Sequence, residues 1–370
     1  MNHERPDGAE AADGLPQIRK RIDQIDLEML RLLEERLELA LRTKRLKSTV
    51  RDQNREAQVL DQIIHSAGRR TLVRPDFVEK LYASIFQESR QAQEQERRLI
   101  GFQGEHGAYS EVAARYFDPD LVAIPCPEFF DVFSGVESES LDFGIVPVEN
   151  SLGGAVTPVN ELLLKTDLQV VAAVRLRINH CLLALPETDY RDIRVVISHP
   201  QALSQCRQFL SRNKLEPRPF YDTAGAARAL ARDKQERTAV IASALAADLY
   251  HLDILKDNIE DKPANFTRFF VLARDRTAAP APGPSSTRAI AFSTAHKAGT
   301  LFEVLRVFAQ AGLNLTRIES LPSPEDPAHF AFFLDFQVGN SGPQVEDILA
   351  RVKKKAVLFK DYGCFQEVCP

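Results

Sequence analysis

The stretch Asn265-Phe266-Thr267-Arg268-Phe269 sets a hydroxyl, a fixed cation and an aromatic wall side by side. A set of that kind can hold a small anion and donate a proton to a departing group, because a guanidinium is always charged and a hydroxyl can donate. A second constellation lies nearer the start of the chain. Arg36 and Lys47 are eleven residues apart, three helical turns, so on one helix they share a face about 16 Å apart and could converge on one small anion. Arg19 stands seventeen residues before Arg36, about 25 Å along the same axis and turned by roughly 100°, too far to reach that anion within one chain. Asp52 and Glu56 share a face at i, i+4 with Arg55 beside them, and Ser89 and Gln93 repeat that spacing. Taken singly, each of these charges is ordinary for a solvated helix face, where exposed ion pairs contribute little.

The elements that must carry these residues can be read from periodicity. From Pro16 to Lys47 the apolar residues Ile18, Ile22, Ile25, Met29, Leu32, Leu33, Leu37 and Ala40 recur at three- and four-residue steps, which predicts one amphipathic helix. It would be about 45 Å long, so its apolar stripe needs a partner helix. Two more helices follow, near Asp52 to Ser66 and from Pro75 to about Glu94, with Pro75 suited to a first helical turn. After Arg97 the pattern changes. Strand, small-residue loop and helix recur at Leu99 to Phe102, Phe143 to Pro147, Arg194 to Ile197 and Ala239 to Ser243, predicting an α/β sandwich with largely parallel strands. Thr277 to Ser286 is a Pro/Ala/Ser linker. Beyond it, strands at Arg288 to Phe292, Asn314 to Ser320, Phe330 to Phe336 and Val357 to Phe359 alternate with helices at Gly299 to Gln310 and Val345 to Lys353, giving the order βαββαβ of a ferredoxin-like module. The expected division is a disordered tail over 1–14, a helical domain over 15–97, an α/β domain over 98–275, a linker over 276–287 and a small α+β domain over 288–370.

Composition narrows the classes of function. With 47 Lys+Arg against 52 Asp+Glu the net charge is −5, which gives no general attraction to nucleic acid or an anionic membrane. Five scattered cysteines without a CxxC pair suit reduced thiols in the cytoplasm, with neither a disulfide framework nor a zinc site. There is no apolar run near the ~20 residues of a membrane helix. No metal or organic cofactor is expected.

Three resemblances give the motifs a direction. The order Arg19, Arg36, Lys47, Asp52, Arg55, Glu56, Ser89, Gln93 resembles the all-helical chorismate mutase family over roughly Ile18 to Gln93. That likeness implies a helix-exchanged dimer in which Arg19 serves the partner's site, Arg19 and Arg36 clamp the carboxylates of chorismate, and Lys47 and Gln93 donate to its ether oxygen. Arg55 would assist with the charged groups, and Asp52 and Glu56 would fix the ring hydroxyl and the nearby backbone. Gly104 to Ser110, Pro147-Val148-Glu149-Asn150-Ser151, His199-Pro200-Gln201 with Gln205-Cys206, Thr223-Ala224 and Asn265 to Phe269 resemble the prephenate dehydratase family, whose fold is similar to two-lobed periplasmic binding proteins. By that likeness Thr267 donates the proton, Arg268 supports a carboxylate, and Phe269 walls a pocket lined by Asn150, Ser151, Gln205 and Thr223, with Glu149 orienting neighbours. His199, before a proline, reads as a helix cap instead.

The last module resembles an ACT regulatory domain of the phenylalanine-binding kind. Gly299-Thr300-Leu301 stands where that family writes Gly-Ala-Leu, and Glu319-Ser320-Leu321-Pro322 where it writes Glu-Ser-Arg-Pro, with Asn314 and Leu315 between them. The likeness implies phenylalanine as effector, and Leu321 removes a cation from the motif. Together the three resemble the bifunctional chorismate mutase/prephenate dehydratases, acting on chorismate and then prephenate as a homodimer or homotetramer. A dehydratase preferring arogenate and a non-enzymatic cytoplasmic amino-acid-binding regulator are the alternatives.

Overall fold

The computed structural model describes residues 8–45, 52–275, 286–322, 330–338 and 342–369. It forms two compact units, Met1–Arg97 and Arg98–Pro370.

The first unit is helical among its described residues: α1 (Gly8–Arg45), α2 (Gln53–Ala67) and α3 (Pro75–Glu94). α1 begins inside the segment expected to be a disordered tail and runs through Pro16; Ala9, Ala11 and Ala12 are strong helix formers and extend it. Asp52 caps α2 by accepting from the Arg55 backbone N–H at 3.0 Å, and Pro75 opens α3. The small core includes Leu41, Ala67, Val78 and Phe86. Ile22, Ile25, Met29 and Leu32 of α1 stay about half exposed, and Ile18 is 61% exposed.

The second unit opens with β1 (Leu99–Gln103), α4 (Tyr109–Phe117), β2 (Val122–Cys126), α5 (Phe129–Glu137), β3 (Phe143–Asn150), β4 (Gly154–Ala155), α6 (Thr157–Lys165) and β5 (Gln169–Arg177). The chain then builds a second sheet from β6 (Cys181–Ala184), β7 (Val195–Ser198), β8 (Glu216–Pro219), β9 (Thr238–Ala242) and β10 (Asp253–Lys256). Between these strands lie α7 (Pro200–Gln205), α8 (Arg207–Arg212), α9 (Thr223–Asp233) and α10 (Ala244–Tyr250). It returns to the first sheet as β11 (Phe266–Ala273).

That return corrects the expectation of largely parallel strands. β1 is parallel to β2 and β3, but β11 lies between β5 and β3 and is antiparallel to both. In the second sheet, of order β10-β6-β9-β7-β8, β6 is antiparallel to β9 and β10. The sequence pattern reports strands, but direction is set by the route of the chain between sheets.

The C-terminal module is β12 (Thr287–Ser293), α11 (Thr300–Gln310), β13 (Leu315–Pro322), β14 (Phe330–Gln337), α12 (Gly342–Lys355) and β15 (Leu358–Val368). Its helices and sheet enclose Ile290, Phe292, Phe308, Leu334 and Val352. β12 starts at Thr287, the last residue assigned to the linker, and β15 runs well past the expected Phe359. The reason is pairing: β15 follows β12 and then, at Gln366 to Val368, aligns parallel with Ala172 to Val174 of β5. The sheet is therefore continuous in the order β13-β14-β12-β15-β5-β11-β3-β1-β2.

Candidate functional site

Two strands carry the motif residues around Thr267 in the second unit. Thr267 on β11 and Asn150 on β3 are cross-strand partners, so their side chains share one face. The Asn150 amide donates from Nδ2 to Thr267 Oγ1 at 2.9 Å, to Asn265 Oδ1 at 2.9 Å and to the Phe266 carbonyl at 3.2 Å. Its Oδ1 accepts from the backbone N–H groups of Leu152 and Gly153 at 3.0 and 2.8 Å. Ser151 clamps the turn: Oγ donates to the Ala264 carbonyl at 3.0 Å and accepts from the Phe266 N–H at 2.9 Å. Asn265 donates to Gln205 Oε1 at 3.1 Å. Thus Thr267, Asn150, Ser151 and Gln205 are brought together, tied through Asn265.

Gln205 leads to residues that motif reading missed. Its Oε1 lies 2.8 Å from His180 Nε2, and His180 Nδ1 lies 2.9 Å from the Tyr109 hydroxyl. His180 is 2% exposed. Burial holds its pKa below the usual histidine value, against the opposing pull of Gln205 and Glu260. The same burial raises the neighbouring Cys181 to about 11 and pushes Cys206 well up, which makes both inert thiols. The signal in the sequence was faint: a polar Asn179-His180 pair closing an apolar strand.

Other expected members lie elsewhere. Arg268 follows Thr267 and so points to the opposite face of β11. Its Nη1 donates to Asp335 Oδ2 at 2.5 Å, and its Nε is 2.6 Å from Glu367 at an angle that makes an ion pair but no hydrogen bond. Burial opposes the Arg268 charge, and Asp335 and Glu367 outweigh it and raise its pKa. Glu149, the cross-strand partner of Arg268, faces Arg317 Nε at 3.4 Å. Phe269 is 2% exposed in the core with Phe102 and Val271, where a bulge against β3 shifts the register after Arg268. Arg268 and Glu149 therefore support the strand pair from behind, Phe269 packs in the core with Val174 and Leu176, and none of the three hydrogen-bonds to the Thr267 cluster among the described residues. Thr223 opens α9 behind its cap Asp222, with no side-chain hydrogen bond to the cluster among the described residues. His199 caps α7, its Nδ1 accepting from the Gln201 N–H at 3.2 Å.

The cleft-side loop is also built to be close. Gly107 has φ +88° and a Cβ there would lie 2.8 Å from Ala246 Cα, so only glycine fits. Its carbonyl accepts from Ser243 Oγ at 2.6 Å, and the His106 carbonyl accepts from the Tyr250 hydroxyl at 2.8 Å.

In the helical unit, Arg36 donates to Ser89 Oγ at 2.6 Å and stacks 5.4 Å from the Phe86 ring centre. Gln93 donates from Nε2 to the Ala40 carbonyl at 2.5 Å and to Thr43 Oγ1 at 3.2 Å. Glu56 pairs with Arg90 at 2.8 Å, a cation absent from the expected set although a half-buried carboxylate calls for one. Arg36, Ser89 and Gln93 are thus brought together; Asp52 serves as a cap, Arg19 and Arg55 are exposed, and Lys47 lies outside the described residues.

In the C-terminal module Gly299, Thr300 and Leu301 line a cavity of about 410 Å³ together with Phe330 and Phe332. Asn314, Leu315, Glu319 and Ser320 do not line it. Asn314 instead bonds Gln337 at 3.3 Å, and Glu319 is 3.7 Å from Arg317; Leu315, Glu319 and Ser320 lie on β13, where Ser320 is the cross-strand partner of the cavity-lining Phe332.

Comparison with known proteins fits this division. The chorismate mutase type II model matches residues 18–94, prephenate dehydratase residues 100–277 and the ACT domain residues 289–354. Over 368 residues the chain is 32% identical to the bifunctional chorismate mutase/prephenate dehydratase of Escherichia coli (strain K12), covering 94% of this chain and 95% of that one. The chain belongs to the bifunctional chorismate mutase/prephenate dehydratase family. It is an enzyme of aromatic amino acid biosynthesis that joins the two catalytic domains to a regulatory ACT domain. This family member is also 36% identical over 280 residues to arogenate dehydratase/prephenate dehydratase 1, chloroplastic, of Arabidopsis thaliana, covering 72% of this chain and 71% of the relative. Among solved structures it is similar to the prephenate dehydratase of Arthrobacter aurescens in complex with L-Phe, with TM-score 0.67, 27% identity, and 72% and 89% of the two chains covered. Among the described residues no helix is long and apolar enough to cross a membrane.

Proposed function

We propose that the helical unit rearranges chorismate to prephenate and that the Thr267 cluster removes water and carbon dioxide from a cyclohexadienol of the prephenate type. The observation that carries the second half is the bond from Asn150 Nδ2 to Thr267 Oγ1. With its lone pair engaged, the hydroxyl keeps its proton to donate, and among the described residues nothing in the protein accepts that proton. In the reaction the ring carboxylate leaves as carbon dioxide and its bonding pair enters the ring. The carbon–oxygen bond to the ring hydroxyl breaks, and one proton, drawn from solvent through Thr267, joins the hydroxide to give water. The substrate's carboxylates need cations other than Arg268, whose charge is already matched by Asp335 and Glu367.

The relatives divide on the second substrate. Several, such as the Arabidopsis protein, are named for arogenate as well as prephenate, and these names favour a cleft that accepts arogenate. The mutase domain makes prephenate available on the same chain. Competition between the two, read as phenylalanine against phenylpyruvate formed, decides preference.

The finer architecture belongs to the same proposal. Two sheets joined at β5–β6 and β10–β11 support a two-lobed, periplasmic-binding-protein-like middle domain, and the order βαββαβ supports a ferredoxin-like end. The exposed stripe from Ile18 to Leu32 supports a helix-exchanged homodimer, or a tetramer of two, with Arg19 reaching the partner's site. Phenylalanine at the Gly299-Thr300-Leu301 cavity is the proposed effector, supported by the L-Phe complex of the Arthrobacter relative. Five free cysteines support the cytoplasm as the compartment. The test is to supply purified protein with chorismate and follow its loss together with phenylpyruvate. Loss with prephenate accumulating leaves only the mutase; no change in either removes both activities.

A further inference from the structure

The amide chain behind Thr267 has a direction, and it can be worked out without seeing a single hydrogen. Asn150 Oδ1 faces two backbone N–H groups, which can only donate, and its other amide atom faces the Phe266 carbonyl, which can only accept. The Asn150 amide therefore cannot be turned over. Its Nδ2 needs an acceptor in Asn265, which fixes Asn265 Oδ1 toward Asn150 and Nδ2 toward Gln205. Gln205 must then present Oε1, and that oxygen lies 2.8 Å from His180 Nε2. His180 Nε2 must carry a proton.

The other ring nitrogen does not disturb this. Tyr109 Oη is 2.9 Å from Nδ1 and 2.7 Å from the Asn179 carbonyl, so its one proton goes to Nδ1 when the ring is neutral and to Asn179 when the ring is charged. Either state leaves Nε2–H in place. The ring itself is held by its backbone, whose N–H donates to Glu260 Oε2 at 3.1 Å and whose carbonyl accepts from the Ile259 N–H at 3.1 Å. Tyr109 packs edge-on against it with ring centres 5.5 Å apart.

We infer that Tyr109 and His180 are positioning residues for the dehydratase: the His180 Nε2–H anchors Gln205 Oε1, Gln205 anchors Asn265, and Asn265 braces the backbone-oriented Asn150 amide so that its Nδ2 is held on Thr267 Oγ1 and the Thr267 proton is left for the substrate. This rests on the role proposed for Thr267. Without a donor at Nε2, Gln205 can rotate and offer its amide nitrogen to His180's place or to Asn265. The Asn265 amide then loses its acceptor, its contact with Asn150 Nδ2 loosens, and the amide that Thr267 accepts from is held less tightly in place. Misplacement by a fraction of a hydrogen-bond length is enough to slow a positioned reaction by about a hundredfold.

The test compares His180→Phe, which keeps a ring and removes the donor, with His180→Gln, whose amide N–H can reach the Nε2 position. The full chain is used throughout, with dehydratase turnover and KM measured on prephenate. The inference expects kcat for His180→Phe to fall by about 10- to 100-fold with KM within about twofold of the parent. It expects His180→Gln to recover most of that loss. It also expects ¹⁵N-histidine spectra to show His180 protonated at Nε2 in the parent. Unchanged kcat in His180→Phe, a change confined to KM, or a proton on Nδ1 alone overturns it. If His180→Phe does not fold, the parent spectrum and His180→Gln decide: equal loss in a folded His180→Gln overturns the inference. A parent chain that shows no dehydratase activity refutes the Thr267 reading itself, an outcome distinct from all of these.

Discussion

Arg268 and Asp335 form a buried pair, Nη1 to Oδ2 at 2.5 Å, with side chains 9% and 1% exposed. Arg268 is next to Thr267 on β11, and Asp335 belongs to β14 of the ACT domain. Arg268 Nε, Arg317 Nε and Asp335 Oδ1 are buried there without hydrogen bonds, so the cluster relies on charge balance. Replacing one partner leaves the other charge uncompensated. Asp335→Ala should destabilise the second unit by about 3–5 kcal/mol, read by chemical denaturation. The double change Arg268→Met with Asp335→Leu should recover much of that loss; a double variant as unstable as the single contradicts the charge-balance account.

Thr267→Val keeps the shape and removes the hydroxyl. Dehydratase turnover should drop by about 10²–10⁴-fold, the range for loss of a proton donor, while chorismate is consumed at the parental rate. Assays of the two steps on separate substrates check this. Parental phenylpyruvate formation would remove Thr267 from the chemistry.

The exposed stripe of α1 predicts a change in assembly. A carboxylate introduced by Ile22→Glu would be buried without a partner in the proposed dimer and weaken it by several kcal/mol. Sedimentation should show a lighter species, and mutase activity should fall with it because Arg19 would no longer reach a second site. Full mutase activity in a monomer would contradict helix exchange.

His180 gives a pH dependence whose sign can be stated. Its folded pKa lies below the ordinary 6.5 because burial disfavours the charged ring, with Tyr109, Glu260, Cys181 and Cys206 around it. The unfolded chain therefore binds the proton more readily, and the associated stability is present above 6.5 and lost as pH falls toward the folded value. Thermal unfolding of the second unit should show this loss, and His180→Gln should flatten it. An equal slope in the variant would assign the effect elsewhere.

Much of this was legible in the residues. The three- and four-residue steps of Ile18 to Leu37 gave α1, and Pro75 with Asp76 gave the start of α3. The motif around Thr267 pointed to β11, and Asn150, Ser151 and Gln205, named beside it, are the residues that hydrogen bonds tie to that stretch. What periodicity could not supply was which face each strand residue takes once β11 is sandwiched between β3 and β5. That choice sent Arg268 and Glu149 toward the ACT domain and, with the bulge, Phe269 into the core. Nor could it pair Glu56 with Arg90, or find His180, whose importance lies in contacts with Tyr109 and Gln205 that are far away in the sequence.

The three residues Gln366 to Val368 that align with β5 affect how the protein can be cut. A dehydratase fragment ending after β11 would leave the β5 edge open from Ala172 to Val174, three apolar residues whose side chains are buried in the whole chain. An uncovered apolar edge is a template for another strand. Such a fragment would recruit copies of itself into aggregates, so the end of β15 acts as a guard against self-association.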